Sequence, residues 1–198
     1  MASSNLKLDL VTLEDSSALI DIWFAAFSDP GSRRLFPHTV GVRSWLEDAI
    51  RRDLGRPFQR FLKVIDAGSK DADEKSRIVA YAKWDLATPE ERGPRYPPWH
   101  DDMPRELCEA LVSRGESNRK RVMGDQKHIF ATHPDYQRQG AASILVKWGC
   151  DLADVEGLRT YVSASRNGAS LYAKFGFVDY SNADQDTISM ARPWRNRT

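Results

Sequence analysis

The segment Gln137-Arg138-Gln139-Gly140-Ala141-Ala142 joins an apolar, strand-like run at 126–132 to a strongly amphipathic, helix-like stretch at 138–156. The first turn of a helix leaves its backbone N–H groups without intrahelical partners and carries partial positive charge. Gly140 and Ala142 keep the surface low there, and Arg138 adds a formal charge. Such a turn suits a phosphate or pyrophosphate. A helix start whose small residues serve packing explains the same segment, so taken alone it leaves both readings open. It is not a P-loop, which ends in Gly-Lys-Ser/Thr, nor a Gly-x-Gly-x-x-Gly dinucleotide fingerprint. The two cysteines, Cys108 and Cys150, are too isolated for a disulfide framework or a zinc site, and no metal is expected.

Those residues need a scaffold. The chain has 198 residues, 41% hydrophobic and 29% charged, which is the composition of a globular domain rather than a disordered chain. We read 1–198 as a single domain with an insertion at about 87–121 between the third and fourth strands. The net charge of +1, from 29 Lys+Arg against 28 Asp+Glu, argues against nucleic acid or an anionic membrane as partner. No signal-like segment opens the chain and no apolar run approaches the ~20 residues that span a bilayer, so the expected location is cytoplasmic.

Leu6–Leu10 alternates as a short strand. Thr12 and Asp15 have the spacing of a capping box with a shorter acid. Leu19, Ile22, Trp23, Ala26 and Phe27 share one helical face, which Asp29-Pro30-Gly31 ends. Val42, Trp45, Leu46, Ala49 and Ile50 form a second such face. Phe58–Asp66 and Arg77–Asp85 read as an antiparallel pair. The Pro-rich stretch 87–121 reads as irregular, with one short helix from Pro104 to about Ser113. Beyond it come a strand at 126–132, a helix at 138–156, a strand at 159–164, a short helix at 168–175 and a closing hairpin at 177–180 and 187–192. This order implies an α/β (α+β) sandwich with a largely antiparallel sheet and one parallel crossover.

Ile129-Phe130-Ala131-Thr132-His133-Pro134-Asp135-Tyr136-Gln137-Arg138-Gln139-Gly140-Ala141-Ala142 resembles the acetyl-CoA binding segment of the GCN5-related N-acetyltransferases (GNAT). Asn167-Gly168-Ala169-Ser170-Leu171-Tyr172-Ala173-Lys174-Phe175-Gly176-Phe177 resembles the second hallmark of that family, although Ala169 follows Asn167 by two residues rather than three. The wording of both segments looks like fungal-type, small-molecule members. The resemblance implies a GNAT fold: a central mixed, mostly antiparallel sheet of about seven strands, splayed at the acetyl-CoA site and flanked by helices.

It also implies roles. Gln137 opens the turn, and the amides of Arg138, Gln139, Gly140, Ala141, Ala142 and Ser143 would hold the pyrophosphate of acetyl-CoA. Phe130, Ala131 and Thr132 would offer backbone groups to pantetheine, and Asn167 would bond the same arm. Tyr172 matches the tyrosine near the CoA sulfur, suited to returning a proton to the leaving thiolate, unless it only fills the sheet–helix interface. His128 matches a base used by some members, with a partly exposed or hydrogen-bonded histidine as the equal alternative. Asp85, after Trp84, is another candidate base or amine anchor, and a water chain could serve instead. Trp84, Asp85, Tyr96 and Trp99 would line the acceptor pocket, although Tyr96, Trp99 and His100 could equally pack the insertion onto the domain. Asp179, Asp184 and Asp186 would attract a cationic amine or be solvated surface charge.

The expected activity is transfer of an acetyl group to a primary amine, of a small molecule, by direct attack in a ternary complex. A protein or peptide acetyltransferase and a non-catalytic CoA-binding module are the rivals. A monomer or a homodimer would serve equally.

Overall fold

The computed structural model describes residues 5–71, 76–124, 128–132, 140–182 and 187–195, with backbone alone at 128–132. One seven-stranded sheet runs through the chain. Its strands are β1 (Leu6–Leu10), β2 (Gln59–Lys70), β3 (Ser76–Asp85), β4 (His128–Thr132), β5 (Arg159–Ala164), β6 (Val178–Asp179) and β7 (Ile188–Arg192). They lie in the order β1-β2-β3-β4-β5-β7-β6. The β4–β5 pair is parallel and the other neighbours are antiparallel. Parallel neighbours require a crossover, and α6 (Ala141–Glu156) supplies it.

Alternation along the strands separates two faces. Leu62, Val64, Ala80, Ala82 and Trp84 pack with Ala141, Leu145 and Ala153 of α6. Val162, Ala164 and Met190 join α6 and α7 (Ala169–Lys174) in a second cluster. The opposite face carries Phe61 and Tyr81 under α1 (Ser16–Ala26) and α3 (Val40–Leu54). Farther along that face, α5 (Arg105–Met123) lies over β5 and β7, with Met123 against Tyr161 and Ala191.

The helix starts follow from capping chemistry. The Thr12 N–H donates to Asp15 Oδ2 at 2.7 Å, and the Asp15 N–H donates to the Thr12 carbonyl at 3.1 Å, so the expected Thr12/Asp15 pairing forms. Asp29-Pro30-Gly31 follows the end of α1 and also starts α2 (Pro30–Leu35), with Pro30 in the first turn and Asp29 Oδ1 accepting from the Ser32 N–H at 2.9 Å. Thr39 caps α3 through Val42 N–H at 3.2 Å.

The stretch 87–121 differs most from its sequence reading. It contains α4 (Pro89–Arg92) and, in place of a helix ending near Ser113, the 19-residue α5. Pro104 precedes α5 as expected, but the helix runs through Gly115 to Met123 and ends at Gly124, where φ is +61°. Only Cys108, Arg119 and Met123 are buried along it, which leaves almost no apolar stripe to read. No helix among the described residues is long and apolar enough to cross a membrane.

Candidate functional site

β3 holds the fixed side of the site. Lys83, Trp84 and Asp85 pair with Thr132, Ala131 and Phe130 of β4. On its other edge β4 pairs with β5 only from His128–Arg159 to Phe130–Tyr161. Both strands continue, β4 to Thr132 and β5 to Ala164, and β5 stays paired to β7 throughout. The pairing of β4 with β5 thus ends at Phe130–Tyr161 before either strand does, which marks the point where the two strands part.

The helix that follows β4 begins at Gly140, in the left-handed region with φ +86° and ψ −6°. A non-glycine residue there would be strained by about 1–2 kcal/mol. The first intrahelical bond runs from the Ile144 N–H to the Gly140 carbonyl at 3.2 Å. The amides of Ala141, Ala142 and Ser143 thus lie ahead of the hydrogen-bonded ladder, at the positive end of a 16-residue helix. Gln137, Arg138 and Gln139, and His133 before them, lie outside the described residues.

Tyr172 is buried in α7, 5.4 Å from the Phe177 ring centroid in an edge-on contact, and belongs to the cluster of Val146 and Cys150 on the α6 side. Burial pushes the Cys150 thiol up to about 11 and keeps it a neutral packing group. Asn167 is exposed in the turn before α7. His128 opens β4 opposite Arg159, and its side chain lies outside the described residues.

On the other face of the sheet a cavity of about 90 Å³ lies between α1, α3 and β3. Its apolar wall includes Ile20, Trp23, Leu46 and Phe61, and its polar end holds Asp53, Lys83, Asp85 and Arg95 beside Tyr96. Asp85, only 4% exposed, stands on the register row Gln59–Asp85–Phe130–Tyr161, the last row before β4 and β5 part. Its Oδ1 accepts from the Ala87 N–H at 3.1 Å, and Arg92 lies 3.6 Å from its Oδ2. Lys83 Nζ donates to Asp53 Oδ2. Burial pulls the Lys83 pKa down, with Asp53 opposing it, and pushes the Tyr81 phenol up.

Not every residue expected at an acceptor pocket lines this cavity. Asp85 and Tyr96 do. Trp84 does not: strand alternation turns it to the α6 face, where it is fully buried, and a Cβ at Gly149 would stand 2.1 Å from its ring. Trp99 packs on Trp45 and Tyr96, at ring-centroid distances of 5.5 and 5.2 Å, and is not among the residues of the cavity wall. The Trp45 indole N–H holds the insertion through the Pro98 carbonyl at 2.7 Å. Asp179 is exposed in β6, away from the cavity, and Asp184 and Asp186 lie outside the described residues. The sequence reading missed Lys83, Tyr81, Asp53 and Arg95. The period of two that sets Tyr81, Lys83 and Asp85 on one side of β3 was the available signal for the first two. Among the described residues no group of three or more His, Cys, Asp or Glu is placed to hold a metal ion.

Comparison with known proteins bears on this arrangement. Residues 109–179 match the model of the acetyltransferase (GNAT) domain. Curated protein sequences give no match. Among solved structures, the chain is similar to the histone acetyltransferase HPA2 and related acetyltransferase of Corynebacterium glutamicum, with 18% identity, TM-score 0.57 and 98% of each chain covered. It is similar to yncA of Salmonella typhimurium, solved with its cofactor acetyl-CoA, at 13% identity and TM-score 0.56, with 98% of this chain and 96% of that one covered. It is also similar to the PaiA N-acetyltransferase of Thermoplasma acidophilum in complex with coenzyme A, at 13% identity and TM-score 0.52, covering 96% of this chain and 99% of that one. The sheet that parts between β4 and β5 is the GNAT fold. The match to the family model takes in α5 to β6, and the fold of the whole chain is the one these acetyltransferases share.

Proposed function

We propose that this protein moves an acetyl group from acetyl-CoA to the primary amine of a small molecule, by direct attack in a ternary complex. The observation that carries the reading is the meeting of two features on one register row. The strands β4 and β5 part beside Phe130, and the buried Asp85 stands next to that point at the polar end of the cavity. The amides of Gly140, Ala141, Ala142 and Ser143 receive the pyrophosphate, with Gln137, Arg138 and Gln139 completing the turn. Phe130, Ala131 and Thr132 meet the pantetheine arm where β4 leaves β5, and Asn167 meets it from the other side. Backbone N–H groups at the parting strands polarise the thioester carbonyl.

The amine enters from the α1–α3 face, and Asp85 takes its proton. The C–N bond forms as the C–S bond breaks, and Tyr172 returns a proton to the thiolate. Asp85 is assigned the base because its carboxylate lines the cavity beside the point where the strands part. Small acceptors are favoured over peptides because Tyr96, Trp99 and α5 cover the face where a peptide groove would run.

Acetyl-CoA at 100 times its Kd should stabilise the fold by about 2.7 kcal/mol, read as a raised Tm. Free-thiol release with a panel of small amines, and none with peptides, supports the reading. Release with peptides alone moves the assignment to a protein acetyltransferase. Release with neither, beside a clear Tm shift, makes the protein a CoA-binding module. No Tm shift at saturating acetyl-CoA removes the cofactor assignment.

A further inference from the structure

The cavity on the α1–α3 face has two kinds of wall. Its charged residues are balanced, Asp53 and Asp85 against Lys83 and Arg95. Each of them is also paired within the protein. Lys83 donates to Asp53, and its Nζ lies 5.7 Å from the centre of the Phe61 ring. Asp53 is held further by Arg52 at 2.9 Å and Arg56 at 3.6 Å. Arg95 lies 3.5 Å from Glu116 of α5, and Asp85 lies 3.6 Å from Arg92. Apart from Tyr81 and Tyr96, the remaining wall is apolar: Ile20 and Trp23 of α1, Leu46, Ala49 and Ile50 of α3, and Phe61 of β2.

A second ionic group on an acceptor would find no spare counter-charge here. A carboxylate would meet Lys83 and Arg95, which already face Asp53 and Glu116. A second ammonium would meet Asp53, which already faces Lys83, Arg52 and Arg56. The apolar wall is worse for either, because an ion brought against it loses its hydration without replacement. What the polar end does offer is one hydrogen-bond acceptor. Asp85 Oδ1 takes the Ala87 N–H at 3.1 Å, but Arg92 stands 3.6 Å from Oδ2, too far for a hydrogen bond. An ionised carboxylate has about four lone-pair sites, so Asp85 keeps room for the N–H of a single amine. Size narrows the choice further. The cavity measures about 90 Å³, whereas a cavity of about 150 Å³ takes up a benzene ring. In that proportion the space suits about four carbons, fewer than an aromatic ring.

Resting on the acetyl-transfer reading above, we propose that the acceptor is a short apolar monoamine, a primary amine with no second charged group and an aliphatic remainder. Its nitrogen meets Asp85 Oδ2 beside the point where β4 and β5 part, and its chain lies against Ile20, Leu46 and Phe61. Asp85 takes one proton from the nitrogen, the C–N bond forms as the C–S bond breaks, and the CoA thiolate takes its proton from Tyr172. Each methylene buried against the apolar wall strengthens binding about fourfold. Amino acids, diamines and polyamines are excluded by their second charge, and arylalkylamines by their size. The few polar groups orient the acceptor while the apolar wall selects it, the usual division of labour in a small-molecule site.

The test is a set of matched acceptors that differ in one feature each. Leucine adds a carboxylate to 3-methylbutylamine, 1,4-diaminobutane adds a second ammonium to butylamine, and tryptamine brings an indole in place of the short chain. Thiol release from acetyl-CoA is followed for each with the full-length protein, and each is titrated into the CoA-loaded protein by calorimetry. The two alkylamines should exceed their charged partners in kcat/KM by about tenfold or more, the least that an unpartnered ion against an apolar wall should cost. They should exceed tryptamine as well. Ala49→Val narrows the cavity, so the ratio of kcat/KM for 3-methylbutylamine to that for ethylamine should fall. Equal or better kcat/KM for leucine, 1,4-diaminobutane or tryptamine overturns this inference and leaves acetyl transfer standing. Binding of the alkylamines alone, without thiol release, supports the apolar site while ending the catalytic reading. No binding of either alkylamine to the CoA-loaded protein overturns the inference whatever the turnover, and the wild-type comparison holds even where Ala49→Val fails to fold.

Discussion

Asp85 is held in two ways that make opposite demands. It accepts the Ala87 N–H and faces Arg92, which favours a fixed carboxylate, while its place in the cavity wall gives that carboxylate a proton to take. Asp85→Asn keeps the shape and removes the base. Loss of a positioned base costs roughly 10²–10⁴ in rate, so kcat should fall by that order while the calorimetric Kd for CoA holds. A variant with normal kcat and a lowered Tm would make Asp85 only the partner of a buried guanidinium. Tyr172→Phe keeps the ring against Phe177 and removes the hydroxyl. It should lower kcat with little change in CoA affinity; equal loss of both would mean packing. The type of these residues was readable in the sequence, but their direction was not. Trp84 and Asp85 are adjacent and look like one feature, yet one belongs to the core under α6 and the other to the cavity. Only the alternation of a strand whose two faces are both buried separates them, and a run of Tyr, Ala, Lys, Trp and Asp does not announce it.

At the scale of elements, α6 approaches β3 closely at Gly149. A Cβ at Gly149 would fall 2.1 Å from the Trp84 ring, so the helix can lie this near the sheet only because that position has no side chain. Gly149→Ala must push Trp84 or the helix aside, and overpacking of this kind costs about 1–3 kcal/mol. Urea denaturation should show that loss, and it should exceed the modest gain in helix propensity that alanine brings. An unchanged or raised midpoint would mean that the contact relaxes freely. Gly149 is an isolated glycine in a strongly periodic helix, which is itself a sequence sign of packing. The elements on either side were legible for the same reason of period: 138–156 repeats as a helix, and 159–164 and 187–192 as strands. The helix α5 was not legible. Ser113, Gly115, Ser117 and Asn118 are poor helix formers, and its buried positions include Arg119, which reads as surface. The arginine that hid the helix is held to it by Glu116, three residues earlier, at 2.8 Å.

For the whole molecule, a net charge of +1 conceals how charge is spent. One part lines the cavity, where Asp53 and Asp85 stand with Lys83 and Arg95. Another ties the two ends of the domain together, where Arg192 of β7 grips Asp154 of α6 with two hydrogen bonds at 2.8 and 2.7 Å, the side chains 4% and 9% exposed. The same guanidinium donates to the Phe175 carbonyl at 2.9 Å, and the Arg195 N–H donates to Asp154 at 2.8 Å. The clamp therefore fixes the last strand and the end of α7 to the helix that begins after Gly140. The Arg192 hydrogen bond is the main cause that holds the Asp154 pKa below its ordinary value, against a smaller opposing effect of burial. A carboxyl with a depressed folded pKa binds fewer protons folded than unfolded. Its stabilisation is present above the unfolded pKa of about 4 and is lost as pH falls through the folded value. Breaking one side of a buried pair costs about 3–5 kcal/mol, because the remaining charge is stranded. Asp154→Asn should accordingly be less stable by that order at pH 7, read by urea denaturation. Asp15, Glu47 and Glu116 also have lowered pKa values, so the wild type should lose stability on acidification through several carboxylates at once. The contribution of Asp154 is the difference between the two proteins, and it should narrow from pH 5 towards pH 2 as the wild-type clamp is protonated away. A difference that stays constant over that range would show that Asp154 holds its place by shape and not by charge.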